Sequence, residues 1–225
     1  MMPPAPSSAR IALVDDHPVM GVALASVLAD EPRLLFIGQA TTVQEMHHLL
    51  AHQHPDLLML DLSMADGNGL ELLPLLRALH RHLPVLVYSM GDPRLYAERA
   101  IRAGAAGYVC KDAPIRDVLD ALHTVLRGEL YLPPIIARRL LRSCTAPAAP
   151  PPSPLMTLSN RELAVLHLLG HGNTPAEISR HLNVSLKTVK RAQRRIRDKL
   201  GLHTRGALLY AAMHVAYGST TTDPA

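Results

Sequence analysis

Leu57-Leu58-Met59-Leu60-Asp61 is a run of four apolar residues closed by a carboxylate. So short a run, without alternation, reads as a strand buried on both faces. Its terminal acid then sits at the carboxyl end of a sheet. The pattern recurs in apolar runs at 11–14, 34–37, 85–88 and 107–110, with Asp15-Asp16 after the first, Ser89 after the fourth and Lys111 after the fifth. Between them, helical spacing runs over 19–28, 43–52, 69–80, 94–103 and 115–127. Pro74 inside the third stretch predicts a kink or a later start. Five strand–helix units in succession imply a flavodoxin-like α/β domain, a five-stranded parallel sheet covered by helices on both faces.

The composition bounds what surrounds this domain. A chain of 225 residues accommodates two modest domains. With 48% apolar and 19% charged residues it is too hydrophobic for an intrinsically disordered protein. Its two cysteines, Cys110 and Cys144, make neither a disulfide framework nor a four-ligand zinc site. No apolar run approaches the roughly 18 residues of a membrane span, and residues 1–10 lack the apolar stretch of a signal peptide. A cytoplasmic location without membrane contact is the expectation. The net charge of +4 hides an asymmetry: residues 10–130 carry 10 Lys and Arg against 15 Asp and Glu, whereas 155–217 carry 10 against 3. An acidic front and a basic back point to different partners, with a polyanion for the second. Seven of the 19 prolines fall within 131–154, a composition that favours an extended spacer. The expected division is therefore a disordered segment at 1–9, the α/β domain at 10–130, a linker at 131–154 with a short helix around 135–142, a helical domain at 155–217 and a tail at 218–225.

In a doubly wound sheet, functional groups gather where strand order reverses. Asp15, Asp16, Asp61, Ser89 and Lys111 close separate strands and can converge there. Each alone would be an ordinary turn or capping residue; jointly they describe a site. Three carboxylates brought together resist ionisation unless a cation is present, and a hard divalent ion with oxygen ligands, Mg²⁺, meets that need. With Lys111 adding positive charge, the site suits phosphoryl transfer to Asp61. His48 and His52 have the spacing of a metal-binding pair, but no third ligand accompanies them and a solvated helix face is the expectation.

These motifs carry a resemblance. Leu13-Val14-Asp15-Asp16-His17-Pro18, the segment from Asp61 to Leu70, Tyr88-Ser89-Met90 and Tyr108-Val109-Cys110-Lys111-Asp112 resemble the receiver domain of two-component response regulators. The whole chain is similar to the NarL/FixJ family, in which a receiver precedes a LuxR-type helix-turn-helix. The resemblance implies Asp61 as phosphoacceptor for a sensor histidine kinase, and Mg²⁺ held by Asp15 or Asp16, Asp61 and the carbonyl of Ser63. It further implies Ser89 and Lys111 as phosphoryl contacts and Tyr108 as a switch aromatic. Ala65 stands where the family usually has proline. A phosphatase using an aspartyl phosphate is the rival reading, but it wants a second Asp two residues after the nucleophile, where this chain has Ser63.

The back half reads as four helices. Ser159 with Glu162 and Thr174 with Glu177 are capping boxes, Pro175 occupies a favoured first position, Ser185 caps a helix ended by Gly201, and a last helix covers 205–216. On a wheel for residues 186–200, Val189, Ala192, Ile196 and Leu200 share one arc, with Lys187, Lys190, Arg191, Arg194 and Arg195 opposite. Asp198 is that helix's sole acid. Such a face fits the major groove, its early residues, Lys187 and Thr188, near bases and its later ones on phosphates. The segments Leu158 to Glu162, Glu177-Ile178-Ser179 and Val184 to Lys190, leading to Lys199-Leu200-Gly201, resemble the LuxR-type domain, with Ala192 where many members have His. That resemblance implies promoter DNA with an inverted repeat, bound by a homodimer when active and joined through the last helix. The expected function is a phosphorylation-dependent transcriptional regulator, not an enzyme.

Overall fold

The computed structural model describes residues 8–64, 66–138 and 154–217. Ala65, Cys144 and most of the Pro-rich spacer lie outside them. Strands β1 (Ala9–Val14), β2 (Leu34–Ala40) and β3 (Leu57–Leu60) alternate with helices α1 (Pro18–Ala29) and α2 (Val43–Gln53). A two-residue hairpin follows, β4 (Ser63–Met64) with β5 (Gly67–Asn68), and then α3 (Gly69–Leu79), β6 (Val85–Ser89), α4 (Pro93–Ala103), β7 (Gly107–Cys110) and α5 (Ile115–Leu126). The main sheet is parallel in the order β2-β1-β3-β6-β7. Strand order therefore reverses beside β1 and β3, the strands that end before Asp15 and Asp61.

Burial explains why the strands lack alternation. Residues 11–14 and 57–60 are all fully buried. Ala12, Val14, Leu58, Leu60 and Val87 pack on one face, with the apolar side chains of α2, α3 and α4; Ile11, Leu13, Leu57, Met59 and Leu86 pack on the other, with those of α1 and α5. Helix α3 begins at Gly69 and continues through Pro74, so the expected later start does not occur. Gly69 closes the hairpin tightly: a Cβ there would lie 2.5 Å from the carbonyl oxygen of Asp61, so glycine lets the segment after the acid fold back upon it.

Past α5 the chain does not leave the sheet at once. Tyr131 forms a parallel bridge with Gly107, its N–H donating to Ala106 and its carbonyl accepting from Tyr108 N–H. Residues 134–138 are helical and Ile136 is buried; the remainder of the expected linker helix lies outside the described residues.

The second domain opens with a 3₁₀ turn (Pro154–Thr157), followed by α6 (Asn160–Gly170), α7 (Pro175–His181), α8 (Leu186–Leu200) and α9 (Arg205–Tyr217). Both capping boxes form. Ser185 caps α8 by accepting from Thr188 N–H, and Gly201 ends it in a left-handed conformation at φ 65°. Asn183, at φ 48°, supplies the turn between α7 and α8.

Glu162 has a double role: its side chain accepts from Ser159 N–H at the cap and from Lys199 Nζ at 2.7 Å. Burial works against its charge, but the Lys199 and Ser159 hydrogen bonds outweigh that and hold its carboxyl below the usual range. The stabilisation is therefore present above the ordinary carboxylate value and disappears as pH falls through the lowered folded value. Glu162→Ala is expected to destabilise the helical domain by about 1–2 kcal/mol near neutral pH, measured by urea unfolding, with the difference shrinking in acid.

Candidate functional site

Four strand ends build one crevice. Asp15 leaves β1, Asp61 leaves β3, Ser89 closes β6 and Lys111 follows β7. The Lys111 ammonium reaches Asp15 Oδ2 at 2.6 Å and Asp61 Oδ2 at 2.7 Å. Asp15 is fully buried, Asp61 is 2% exposed and Ser89 is 1% exposed. Burial raises the Asp61 carboxyl above its ordinary value, against the pull of Lys111. Burial likewise opposes the charge of Lys111, but Asp61 and Asp15 outweigh it and hold the ammonium above its usual value.

Ligand atoms of Asp15, Asp16, His17 and Asp61 all lie within 4.8 Å of one another. Two unit charges 4 Å apart interact by about 4 kcal/mol at an effective dielectric near 20, so one ammonium cannot offset three carboxylates. A donor set of carboxylate oxygens with that residual negative charge fits a hard divalent cation. His17, which follows the acid pair in the sequence, is also a member of this cluster, with Nδ1 at 2.9 Å from Asp16 Oδ1 and 3.2 Å from Asp15 Oδ1.

The remaining expected residues divide. Ser63 places its N–H 3.2 Å from Asp61 Oδ1. Ser89 Oγ accepts from Gly91 N–H, while buried Tyr108 donates its hydroxyl to Gly91 O at 2.6 Å. Gly91 thus donates to Ser89 through its N–H and accepts from Tyr108 through its carbonyl oxygen. His48 and His52 stack on each other on an exposed helix face, with His52 Nδ1 against the His48 carbonyl oxygen.

On α8, Val189 and Ile196 are fully buried, with Ala192 and Leu200 packed beside them. Lys187, Lys190, Arg191, Arg194 and Arg195 are all exposed. Thr188 differs from the rest of the expected DNA-facing set: it is half-buried, and its hydroxyl is 2.9 Å from Ser185 Oγ within the cap.

Contacts that no local pattern announces join the two domains. Arg99 on α4 donates to Asn160 Oδ1 at 3.0 Å and to the carbonyl oxygens of Leu155 and Met156 at 3.3 Å. Tyr96, also on α4, meets the His167 ring edge-on, and His167 Nε2 lies 3.4 Å from Ser63 Oγ. Burial pushes the His167 imidazole down to about 4, so it is neutral near pH 7. These contacts involve α6 and the turn before it and leave the basic face of α8 open.

Among the described residues, no helix is long and apolar enough to cross a membrane. Residues 11–123 match the model for the response regulator receiver domain, and residues 156–212 match that for bacterial regulatory proteins of the luxR family. The nitrate/nitrite response regulator protein NarL of Escherichia coli K12 is 31% identical over 88% of this chain and 91% of its own. The oxygen regulatory protein NreC of Staphylococcus aureus is 30% identical over 91% of this chain and 96% of its own. A solved structure of the RcsB response regulator from Salmonella typhimurium has a similar fold, with a TM-score of 0.73 at 24% identity, covering 93% of this chain and 98% of that one. A strand-end acid pocket ahead of a basic helix-turn-helix, matched along nearly the full length of such relatives, makes this chain a member of the response regulators that join a receiver domain to a LuxR-family DNA-binding domain.

Proposed function

We propose that this chain accepts a phosphoryl group on Asp61 from a sensor histidine kinase and thereby changes how residues 186–200 engage promoter DNA. The observation that carries this reading is the Lys111 ammonium bridging Asp15 and Asp61 at the sheet's switch point. An Asp61 carboxylate oxygen attacks phosphorus in line: the P–O bond forms, the P–N bond to the kinase imidazole breaks, and the imidazole leaves. Mg²⁺, held by Asp15, Asp16, Asp61 and the carbonyl of Ser63, supplies charge neutralisation for the phosphoryl oxygens when bound. Lys111 then exchanges a carboxylate for a phosphoryl oxygen, and the Ser89 hydroxyl donates to another.

Drawing Ser89 toward the phosphoryl group competes with its bond from Gly91 N–H, and Gly91 is also held by Tyr108. A Cβ at Gly91 would lie 2.7 Å from the Tyr96 ring, so movement of this residue is felt at the side chain that meets His167. Phosphorylation favours the receiver state with the better phosphoryl contacts, and that difference shifts the population. With 10–130 as receiver, 131–154 as spacer and 155–217 as DNA-binding domain, exposure of the basic α8 face in the docked arrangement supports control by pairing rather than by unmasking. Leu209, Tyr210 and Met213 are exposed on α9, which supports that helix as the joint of a homodimer on an inverted repeat.

Acetyl phosphate with Mg²⁺ is expected to add one phosphoryl group to the wild type and none to Asp61→Asn, read by intact mass; an equal adduct on the variant refutes the assignment. Lys190→Ala and Arg194→Ala are each expected to weaken DNA binding uniformly across sequences and to lower the log–log salt slope by about 1, measured by fluorescence anisotropy. Arg99→Ala is expected to raise amide exchange severalfold at residues 155–163 in the unphosphorylated protein and to change it little in the phosphorylated one.

A further inference from the structure

The phosphoacceptor pocket shares its rim with a second space. Asp16, His17 and Ser63 also line a cavity of about 300 Å³ between the two domains, whose far wall includes α6. Ser63 belongs to both: its N–H lies 3.2 Å from Asp61 Oδ1, and its Oγ lies 3.4 Å from His167 Nε2. The His17 side chain, 66% exposed, marks a way in from solvent. Taken as a sphere, the cavity is roughly 8 Å across, whereas an α-helix with its side chains is about 10–12 Å across. In the docked arrangement its occupant is therefore a small molecule and not a helix of another protein.

The walls sort by chemistry. Leu62 and Met64 from the segment after β3, and Ala164 and Leu168 from α6, supply apolar surface, and neither lysine nor arginine lines the cavity. The cation that a phosphoryl group needs, Lys111, lies instead against Asp15 and Asp61. A molecule spanning both spaces thus has a dianionic end for the pocket and an uncharged, apolar end for the cavity. His167 stands in the cavity wall and is 6% exposed, and its Nδ1 has no hydrogen-bond partner among the described residues. A buried nitrogen in that state calls for a partner, which a polar atom of a ligand can supply.

We infer that the interdomain cavity is the acyl-binding part of a site for small acyl phosphates, so that the docked helical domain makes Asp61 selective for phosphodonors with a short apolar acyl chain. In the transfer an Asp61 carboxylate oxygen forms the bond to phosphorus, the P–O bond to the acyl group breaks, and the acyl carboxylate leaves with that electron pair; no proton moves. The inference rests on the reading of Asp61 as phosphoacceptor and adds the class of donor that reaches it while the domains are together.

Full-length protein labelled by acetyl, propionyl and butyryl phosphate in Mg²⁺ tests it, with intact mass followed against time and donor concentration. The three acyl groups leave about equally readily as carboxylates, so differences between the donors report binding. Each added methylene is expected to raise the second-order labelling rate of the wild type by about threefold, through a lower half-saturating concentration at an unchanged maximal rate. Arg99→Ala removes the hydrogen bonds from α4 to Asn160 and to the turn before α6. It is expected to label at rates within about twofold of one another for all three donors, with the parting of the domains checked by amide exchange at residues 155–163. Ala164→Leu, which fills the cavity, is expected to keep acetyl phosphate within about twofold of the wild type and to abolish the advantage of butyryl phosphate. Equal rates for the three donors in the wild type overturn the proposal. So does a chain-length dependence that survives the filled cavity, or that persists in Arg99→Ala once amide exchange has risen. Absence of labelling by every donor on the wild type is a different result, and refutes the reading of Asp61 itself.

Discussion

The structure turns on an electrostatic constraint: carboxylates of Asp15 and Asp61, almost without solvent, are held against a single ammonium from Lys111. Burying an ion costs several kcal/mol unless a partner is at hand, so β1, β3 and β7 are bound to a common geometry at their carboxyl ends. Removing one charge leaves the others uncompensated in a poorly polarisable surrounding. The sheet is thereby poised, because a change of charge at this point is felt on three strands at once.

The sheet was legible because its strands are buried on both faces, which replaces alternation by short apolar runs whose ends are marked by polar residues. Helix starts in the second domain were equally legible, since a capping box writes both of its members into the sequence three residues apart. The β4–β5 hairpin was not, because two-residue strands carry no period. Pro74 signalled a break that packing on Leu70, Leu73 and Leu76 overrides. At the site, strand-end logic brought out Asp15, Asp16, Asp61 and Lys111; His17 lay in plain view beside them, and its residue type was the only signal that it belonged to their cluster.

Arg99, Tyr96 and His167 illustrate what pattern reading does not reach. Arg99 and its partners are separated by 56 to 61 residues, and Ser63 and His167 by 104. No periodicity links such positions. Their common feature is chemical: an arginine satisfying two main-chain carbonyls, and an imidazole kept neutral by burial, each joining the sheet domain to the helical one. Modest polar contacts of this kind suit a reversible joint better than a continuous apolar seam does.

The bridge between Tyr131 and Gly107 has a mechanical meaning. It covers the outer rim of the sheet with one extra residue, denying neighbouring molecules a template for strand addition. It also clips the outgoing chain to Tyr108 by a main-chain hydrogen bond. Residues 131–138 are therefore held to the strand that carries Tyr108 and ends just before Lys111, and a displacement of that strand moves them with it.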